Sequence, residues 1–234
     1  MNALQPAAFG IELLDDPEAA PAEVGQSLRN IARANRWLGG AAAVRYGLHR
    51  ALGGGRRSPR DGPLTLLDVG TGLGDLARMA GAWAAARGLD LRPIGLERCT
   101  AAARLAHAGG LLLLAGDGGR LPLRDRSVDL VLLSQVAHHF APAGIVRLFR
   151  ECDRVARRAV IVADLRRSSF AALGWRAASL ALGFDPNTCR DGLTSLRRGF
   201  STTSLGALLA EAGIRAPVIR RPGARLVAVW DPAA

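Results

Sequence analysis

The run Leu66-Leu67-Asp68-Val69-Gly70-Thr71-Gly72-Leu73-Gly74-Asp75 constrains this chain more than any other stretch. A short apolar segment ends in an acid, passes through three glycines spaced G-x-G-x-G and opens into a helical pattern. Glycine reaches positive φ without a steric penalty and lets backbone N–H groups approach a ligand closely. Strand, glycine turn and helix in that order open an α/β ligand-binding unit. The dinucleotide fingerprint is spaced G-x-G-x-x-G and sets a pyrophosphate on the helix N-terminus. The tighter spacing here suits a ligand that needs close backbone contact and no phosphate cradle.

Downstream, short apolar runs alternate with helical patterns. Strands are expected at Leu64–Val69, Leu91–Glu97, Leu111–Ala115, Val128–Ser134 and Ala159–Asp164, with helices near 75–87, 100–108 and 142–154. Continuous apolar strands separated by helices predict a parallel sheet covered on both faces. A helix near 203–212 and strands near 216–221 and 226–230 complete it; the turn Arg221-Pro222-Gly223 makes those last two strands antiparallel neighbours. The expected fold is α/β: a doubly wound, Rossmann-like, seven-stranded sheet.

Three acid-bearing elements accompany the glycine turn. Glu97 ends the second strand, Ala115-Gly116-Asp117-Gly118 follows the third, and Ser127-Val128-Asp129-Leu130-Val131 enters the fourth. Acids that end successive parallel strands gather at the carboxyl edge, where ligands bind in such sheets. A carboxylate at Glu97 can accept hydrogen bonds from both hydroxyls of a ribose. Over roughly Leu64 to Asp164 this series resembles the class I methyltransferases that use S-adenosylmethionine (SAM). The resemblance implies SAM as cofactor. It implies that Asp68, Gly70 and Gly72 hold its methionine end, that Glu97 grips its ribose and that Asp117 contacts its adenine amino group, with Thr71, Arg98 and Gly118 as further cofactor-binding residues. Ser134 closes the cofactor-binding set at the end of the fourth strand.

The phrase Gln135-Val136-Ala137-His138-His139-Phe140 resembles the fourth-strand exit of the branch acting on quinones, phenolic lipids and other small molecules. The Asn/Asp-Pro-Pro-Tyr segment of relatives that methylate exocyclic amines is absent. The acceptor that follows from this is a small hydrophobic phenolic or quinone-like compound methylated on oxygen. Carbon methylation of a similar ring, methylation of RNA and a non-catalytic SAM-binding subunit stand as alternatives. Methyl transfer from a sulfonium depends first on alignment, and a phenol near pKa ~10 gains from a base such as histidine near ~6.5. His138 and His139 are the catalytic candidates, His139 slightly favoured. His49 and His107 read as helix-surface residues.

The flanks are expected to divide as follows. Residues 1–60 form an N-terminal helical extension or cap and residues 61–234 the SAM-binding domain, with 166–200 as a lid-like helical insertion after the fifth strand. Residues 1–20 read as a loose acidic lead-in. Helices are expected over about 21–38, with Pro21 at its start and Gly39-Gly40 as its stop, and over about 44–52. Gly53 to Pro63 reads as a linker. The insertion is expected as one helix, Phe170 to Leu182, followed by a polar loop carrying Asp185-Pro186-Asn187 and Asp191-Gly192. Arg166, Arg167, Trp175, Arg176, Asp191 and Arg198 are its candidate acceptor contacts. Arg36 and Trp37 are candidates to fold over the cofactor, and Arg45 to meet its carboxylate.

Composition adds mostly exclusions. The net charge of +11 comes wholly from arginine, scattered in short pairs without the basic, aromatic-laced run of a nucleic-acid surface. An anionic or membrane-surface partner is therefore not the favoured reading. No apolar stretch is long enough to span a bilayer, and no basic signal-peptide start precedes Arg29, so a cytoplasmic location is expected. Cys99, Cys152 and Cys189 show no metal-ligand spacing; Cys152 falls on an apolar helix stripe, and no metal is expected.

Overall fold

The computed structural model describes residues 12–16, 18–53 and 62–232. Seven strands form one sheet: β1 (Leu64–Val69), β2 (Leu91–Glu97), β3 (Leu112–Ala115), β4 (Val128–Ser134), β5 (Ala156–Leu165), β6 (Val218–Arg221) and β7 (Arg225–Trp230). Their spatial order is β3-β2-β1-β4-β5-β7-β6. β1 to β5 run parallel, while β7 pairs antiparallel with β5 and with β6. The doubly wound α/β fold is as expected, and the order reverses beside β1 and β4. Val69 pairs with Leu96 and with Leu133, Glu97 with Ala115, and Ser134 with Ala163. That register carries the ends of the parallel strands to one edge.

Eight helices complete the described fold: α1 (Pro21–Trp37), α2 (Gly40–Leu52), α3 (Asp75–Ala85), α4 (Thr100–Ala108), α5 (Pro142–Val155), α6 (Ser169–Ala181), α7 (Pro186–Arg198) and α8 (Thr202–Glu211). On one face of the sheet α5 and α8 bury Leu148, Phe149, Leu205 and Leu209 against the strands, with Phe149 edge-on to Trp230. Cys152 lies in this core, fully buried. On the other face Val44 and Leu48 of α2 and Ala80 and Ala84 of α3 pack against Leu66, Leu130 and Ile161. Helix α2 therefore belongs to the layer over β5 and β7, whereas α1 crosses the carboxyl edge between α4 and α7. His49 and His107 are exposed on helices. Of the expected linker, residues 54–61 lie outside the described residues.

Two expectations fail for the same reason. The polar loop after α6 is the helix α7: Asp185 caps it by accepting from the Thr188 N–H, and Pro186 takes the first position. Its buried residues are Thr188, Asp191, Thr194 and Arg198 with Leu196 as the one apolar member, so a search for apolar periodicity passes over it. Gly192 faces the Trp175 ring too closely for a Cβ, which lets α6 and α7 pack together. The lead-in is also not loose where it is described. Leu13–Asp15 form a 3-10 turn whose Leu13 N–H donates to Asp191, and Ser195 donates to Glu12.

Candidate active site

The glycine turn rises from β1 at the switch point of the sheet. Gly70 adopts φ +69°, and a Cβ there would lie 2.6 Å from a Val136 methyl. Gly70 and Thr71 both donate backbone N–H bonds to Leu96 O, which fastens the turn to β2. The Thr71 hydroxyl donates to Asp68 Oδ2 at 2.7 Å. Helix α1 lies over the same turn through a polar chain: Gln135 Nε2 donates to Asn35 Oδ1 at 2.6 Å, and Asn35 Nδ2 donates to Asp75 Oδ2 at 3.1 Å. Gln135 sits at φ +58°, a left-handed conformation that a side-chain-bearing residue adopts at some cost. Such strain gathers at functional sites.

Between the turn, α1 and the α6–α7 pair lies a cavity of about 660 Å³. It is within the range of small-molecule and cofactor sites. Every residue expected to hold cofactor lines it: Asp68, Gly70, Thr71, Gly72, Glu97, Arg98, Asp117, Gly118 and Ser134. Glu97 already accepts backbone N–H bonds from Gly72, Arg98 and Cys99. A carboxylate offers about four acceptor directions, so it has room for about one further bond in this arrangement rather than the pair anticipated for a ribose. Asp117 accepts from the Gly119 N–H at 2.7 Å and is otherwise exposed. The buried Ser134 hydroxyl has no hydrogen-bond partner. These features fit SAM: open backbone at the turn, acids along the edge and an orphan hydroxyl at the end of β4.

Burial pushes the Asp68 carboxyl up to about 7, with the Thr71 hydrogen bond opposing and the nearby Asp75 and Glu97 charges adding to the rise. Burial likewise raises Asp75, against the Asn35 hydrogen bond. Two carboxyls crowded at the turn resist carrying full charge together. A cationic group arriving beside them relieves that resistance.

Residues 67–163 match the family described as methyltransferase domain. That stretch carries a methyltransferase domain, and the fold around it is that of class I SAM-dependent methyltransferases. Solved structures share its architecture at low identity. A SAM-dependent methyltransferase from Aquifex aeolicus is 17% identical, with a TM-score of 0.60, over 92% of this chain and 99% of that one. The magnesium protoporphyrin IX methyltransferase of Synechocystis, solved with S-adenosylhomocysteine bound, is 14% identical with a TM-score of 0.55, over 83% and 84% of the two chains. The pyocyanin biosynthetic protein PhzM is 20% identical with a TM-score of 0.52, over 81% of this chain and 55% of that one. No curated protein matches significantly in sequence. No helix among the described residues is long and apolar enough to cross a membrane.

At the far end of the methyltransferase cavity stand His138 and His139, on a 3-10 turn after β4, with ring centroids 4.3 Å apart. His138 Nδ1 is 2.7 Å from Asp164 Oδ1, and both residues are buried. Because a carboxylate only accepts, that contact places the proton on Nδ1 and leaves the Nε2 lone pair free. Nε2 is buried without a partner. Asp164 also accepts the Ala137 and Leu165 N–H groups. Burial alone would raise Asp164, but His138 and the Leu165 N–H outweigh it and hold the carboxyl below its ordinary range.

His139 differs. Its Nδ1 donates to Asp15 at 2.8 Å, with Arg198 Nη1 at 3.4 Å and Glu12 Oε2 3.9 Å from Nε2. Burial disfavours its charge, yet the Asp15 hydrogen bond and the Glu12 and Asp15 charges lift it above the ordinary imidazole range. Both imidazoles thus have an orienting carboxylate, but it is His138 whose Nε2 is buried without a partner, while His139 Nε2 faces Glu12.

Of the other candidates, Trp37, Trp175 and Asp191 line the cavity, whereas Arg36, Arg45, Arg166, Arg167 and Arg176 do not. Arg198 is buried away from it and pairs with Asp15 and Glu12. Phe170, Leu173 and Leu180 face outward at 88%, 69% and 86% exposure, so the insertion's large apolar side chains at the cavity are Trp175 and Leu196. Reading by residue type assigned no role to Asp164, Asn35, Gln135 or Arg225. Asp164 was findable as a further acid ending a parallel strand. Arg225, buried at the cavity wall beside Asp164 and pushed down by burial to about 10, left no signal within a strand-like run.

Proposed function

We propose that the protein methylates a hydroxyl of a small hydrophobic phenolic or quinone-like acceptor, with His138 as general base. The observation that carries this reading is the buried, unpartnered Nε2 of His138 at the cavity wall, with Asp164 fixing its tautomer. SAM, when bound, supplies an electrophilic methyl group on a sulfonium. The turn residues Asp68, Gly70, Thr71 and Gly72 hold its amino-acid end, Glu97 and Arg98 its ribose, Asp117 and Gly118 its adenine, and Ser134 the rim nearest the acceptor. His138 Nε2 takes the acceptor's hydroxyl proton as oxygen attacks, and Asp164 steadies the imidazolium that forms. His139, tied to Asp15, positions its neighbour. In this reading the described part of residues 1–60 caps the domain of 61–234 through the Leu13–Asp15 turn and α1, while α2 is part of the sheet's own cover, and 166–200 serve as the lid whose Trp175 packs on the acceptor.

The assay of the reading uses SAM with a labelled methyl group in lysate of the native host, partitioned into organic, RNA and protein fractions. Label in the organic fraction, on an oxygen-bound methyl by NMR, is the expected result. Label in RNA alone, or on ring carbon, overturns the acceptor assignment.

A pH dependence accompanies the assignment of Asp68. Its folded carboxyl titrates near 7, well above its unfolded value, so without ligand it adds most to stability at low pH and progressively less as pH rises to 7. Binding of a cationic ammonium favours the ionised form. SAM affinity is therefore expected to fall about tenfold per pH unit below 7 and to level off above it. Calorimetric titration of the protein and of Asp68→Asn checks this; a flat profile in the wild type removes the assignment.

A further inference from the structure

Glu12 lies far from the His-His pair in sequence, but the 3-10 turn that follows it folds back onto the cavity end. Glu12, His138 and His139 each present one ligand atom, all within 4.8 Å of one another. Two of these groups are buried: His138, 2% exposed, whose Nε2 has no partner, and Glu12, 5% exposed, whose Oε1 accepts no hydrogen bond and is ion-paired with Arg198. Both imidazoles donate Nδ1–H to a carboxylate, His138 to Asp164 and His139 to Asp15. That arrangement turns each Nε2 lone pair away from its carboxylate, as in carboxylate–histidine–metal sites.

We infer that Glu12, His138 and His139 form a binding site for a divalent transition metal of the zinc type, and that occupancy of this site inhibits the enzyme. Two imidazoles and one carboxylate with an open fourth position are a donor set that zinc accepts. Imidazole nitrogen disfavours magnesium and calcium as occupants. Tetrahedral donors about 2.0–2.1 Å from zinc stand roughly 3.3 Å apart, so the three side chains close inward by small rotations. Charge permits it: the carboxylates of Glu12, Asp15, Asp164 and Asp191 face two buried arginines, Arg198 and Arg225. Arg198 Nη1, 3.2 Å from Glu12 Oε1, is the competing cation, and its pairing with Asp15 at 2.8 Å keeps it engaged when Glu12 turns to the metal. The inhibitory consequence rests on the base assignment above, because a metal on His138 Nε2 occupies the lone pair that takes the acceptor's proton.

The test measures Zn²⁺ binding by calorimetry without SAM, and ligand-field bands of the Co²⁺-substituted protein, for the full chain and for Glu12→Gln and His139→Gln. Circular dichroism and SAM binding confirm that each variant is folded. One Zn²⁺ per chain is expected, weakened about 10- to 100-fold or more in each variant. Turnover should fall in proportion to occupancy, return on chelation, and become less zinc-sensitive in Glu12→Gln relative to that variant's own metal-free rate. No Zn²⁺ binding by the wild type, or equal binding by folded variants, overturns the site. Zn²⁺ bound at these residues without loss of turnover overturns the inhibition and with it the base role of His138, leaving the metal site in place. Absent Zn²⁺ binding with a dead His138→Gln enzyme does the reverse.

Discussion

His138→Gln is expected to lower kcat by about 10²–10⁴-fold, the range of a lost general base, while SAM affinity stays within about twofold. Glutamine fills the same space and still offers a hydrogen bond toward Asp164, but it cannot take up a proton near neutral pH. Asp164 keeps its bonds to the Ala137 and Leu165 N–H groups, so the turn is retained. Asp164→Asn acts through the histidine: an asparagine side chain can donate to Nδ1 and place the imidazole proton on Nε2, the wrong tautomer for a base. His139→Gln should cost much less, since its Nε2 faces the Glu12 carboxylate instead of standing unpartnered. Steady-state turnover beside calorimetric SAM binding separates these cases. Equal losses for His138 and His139, or full turnover in His138→Gln, would remove the assignment.

Arg198→Met should destabilise the protein by about 3–5 kcal/mol, the usual cost of removing one member of a buried ion pair. The guanidinium is 3% exposed and lies 2.8 Å from Asp15 and 3.2 Å from Glu12. Without it these carboxylates remain in a poorly solvated pocket. For a chain of this size each kcal/mol moves Tm by about 2–4 °C, so the drop should be plain in a thermal melt with SAM absent. The effect depends on pH with a defined sign. Burial alone would raise Asp15, but His139 and Arg198 overcome it and hold the carboxyl well below its ordinary range. Its contribution is thus present above the ordinary carboxylate pKa and lost as pH falls toward the lowered one. Arg198→Met should accordingly lose most at neutral pH and approach the wild type in acid. A uniform deficit at all pH values would place the role of Arg198 in packing instead.

Different physics governs the two halves of the site. The cofactor side is local. Strand, turn and helix follow one another within a dozen residues, and parallel pairing carries the ends of β1, β2 and β4 to one edge, so Asp68, Gly70, Glu97 and Ser134 could be picked out one motif at a time. The acceptor side is assembled from pieces with no sequence relation. Glu12 and Asp15 come from the lead-in, His138 and His139 from the exit of β4, Asp164 from β5 and Arg198 from α7. Helix α7 was hidden for the same reason: its inward face is polar because what it meets is polar. Asn30 donates to its capping Asp185, Ser195 donates to Glu12, and Arg198 pairs with Asp15.

The sequence by itself determined the α/β architecture, the glycine turn with its flanking acids, and hence SAM as the methyl donor, because each is written in residues close together along the chain and repeated by strand-and-helix periodicity. Only the tertiary structure decided that His138 Nε2 is buried without a partner while His139 stands among Asp15, Glu12 and Arg198, that Arg198 neutralises the lead-in instead of meeting an acceptor, and that Phe170, Leu173 and Leu180 face outward. Those outcomes depend on which side chains meet across the sheet edge, and a partner contributed by a distant segment leaves no periodic trace in either stretch.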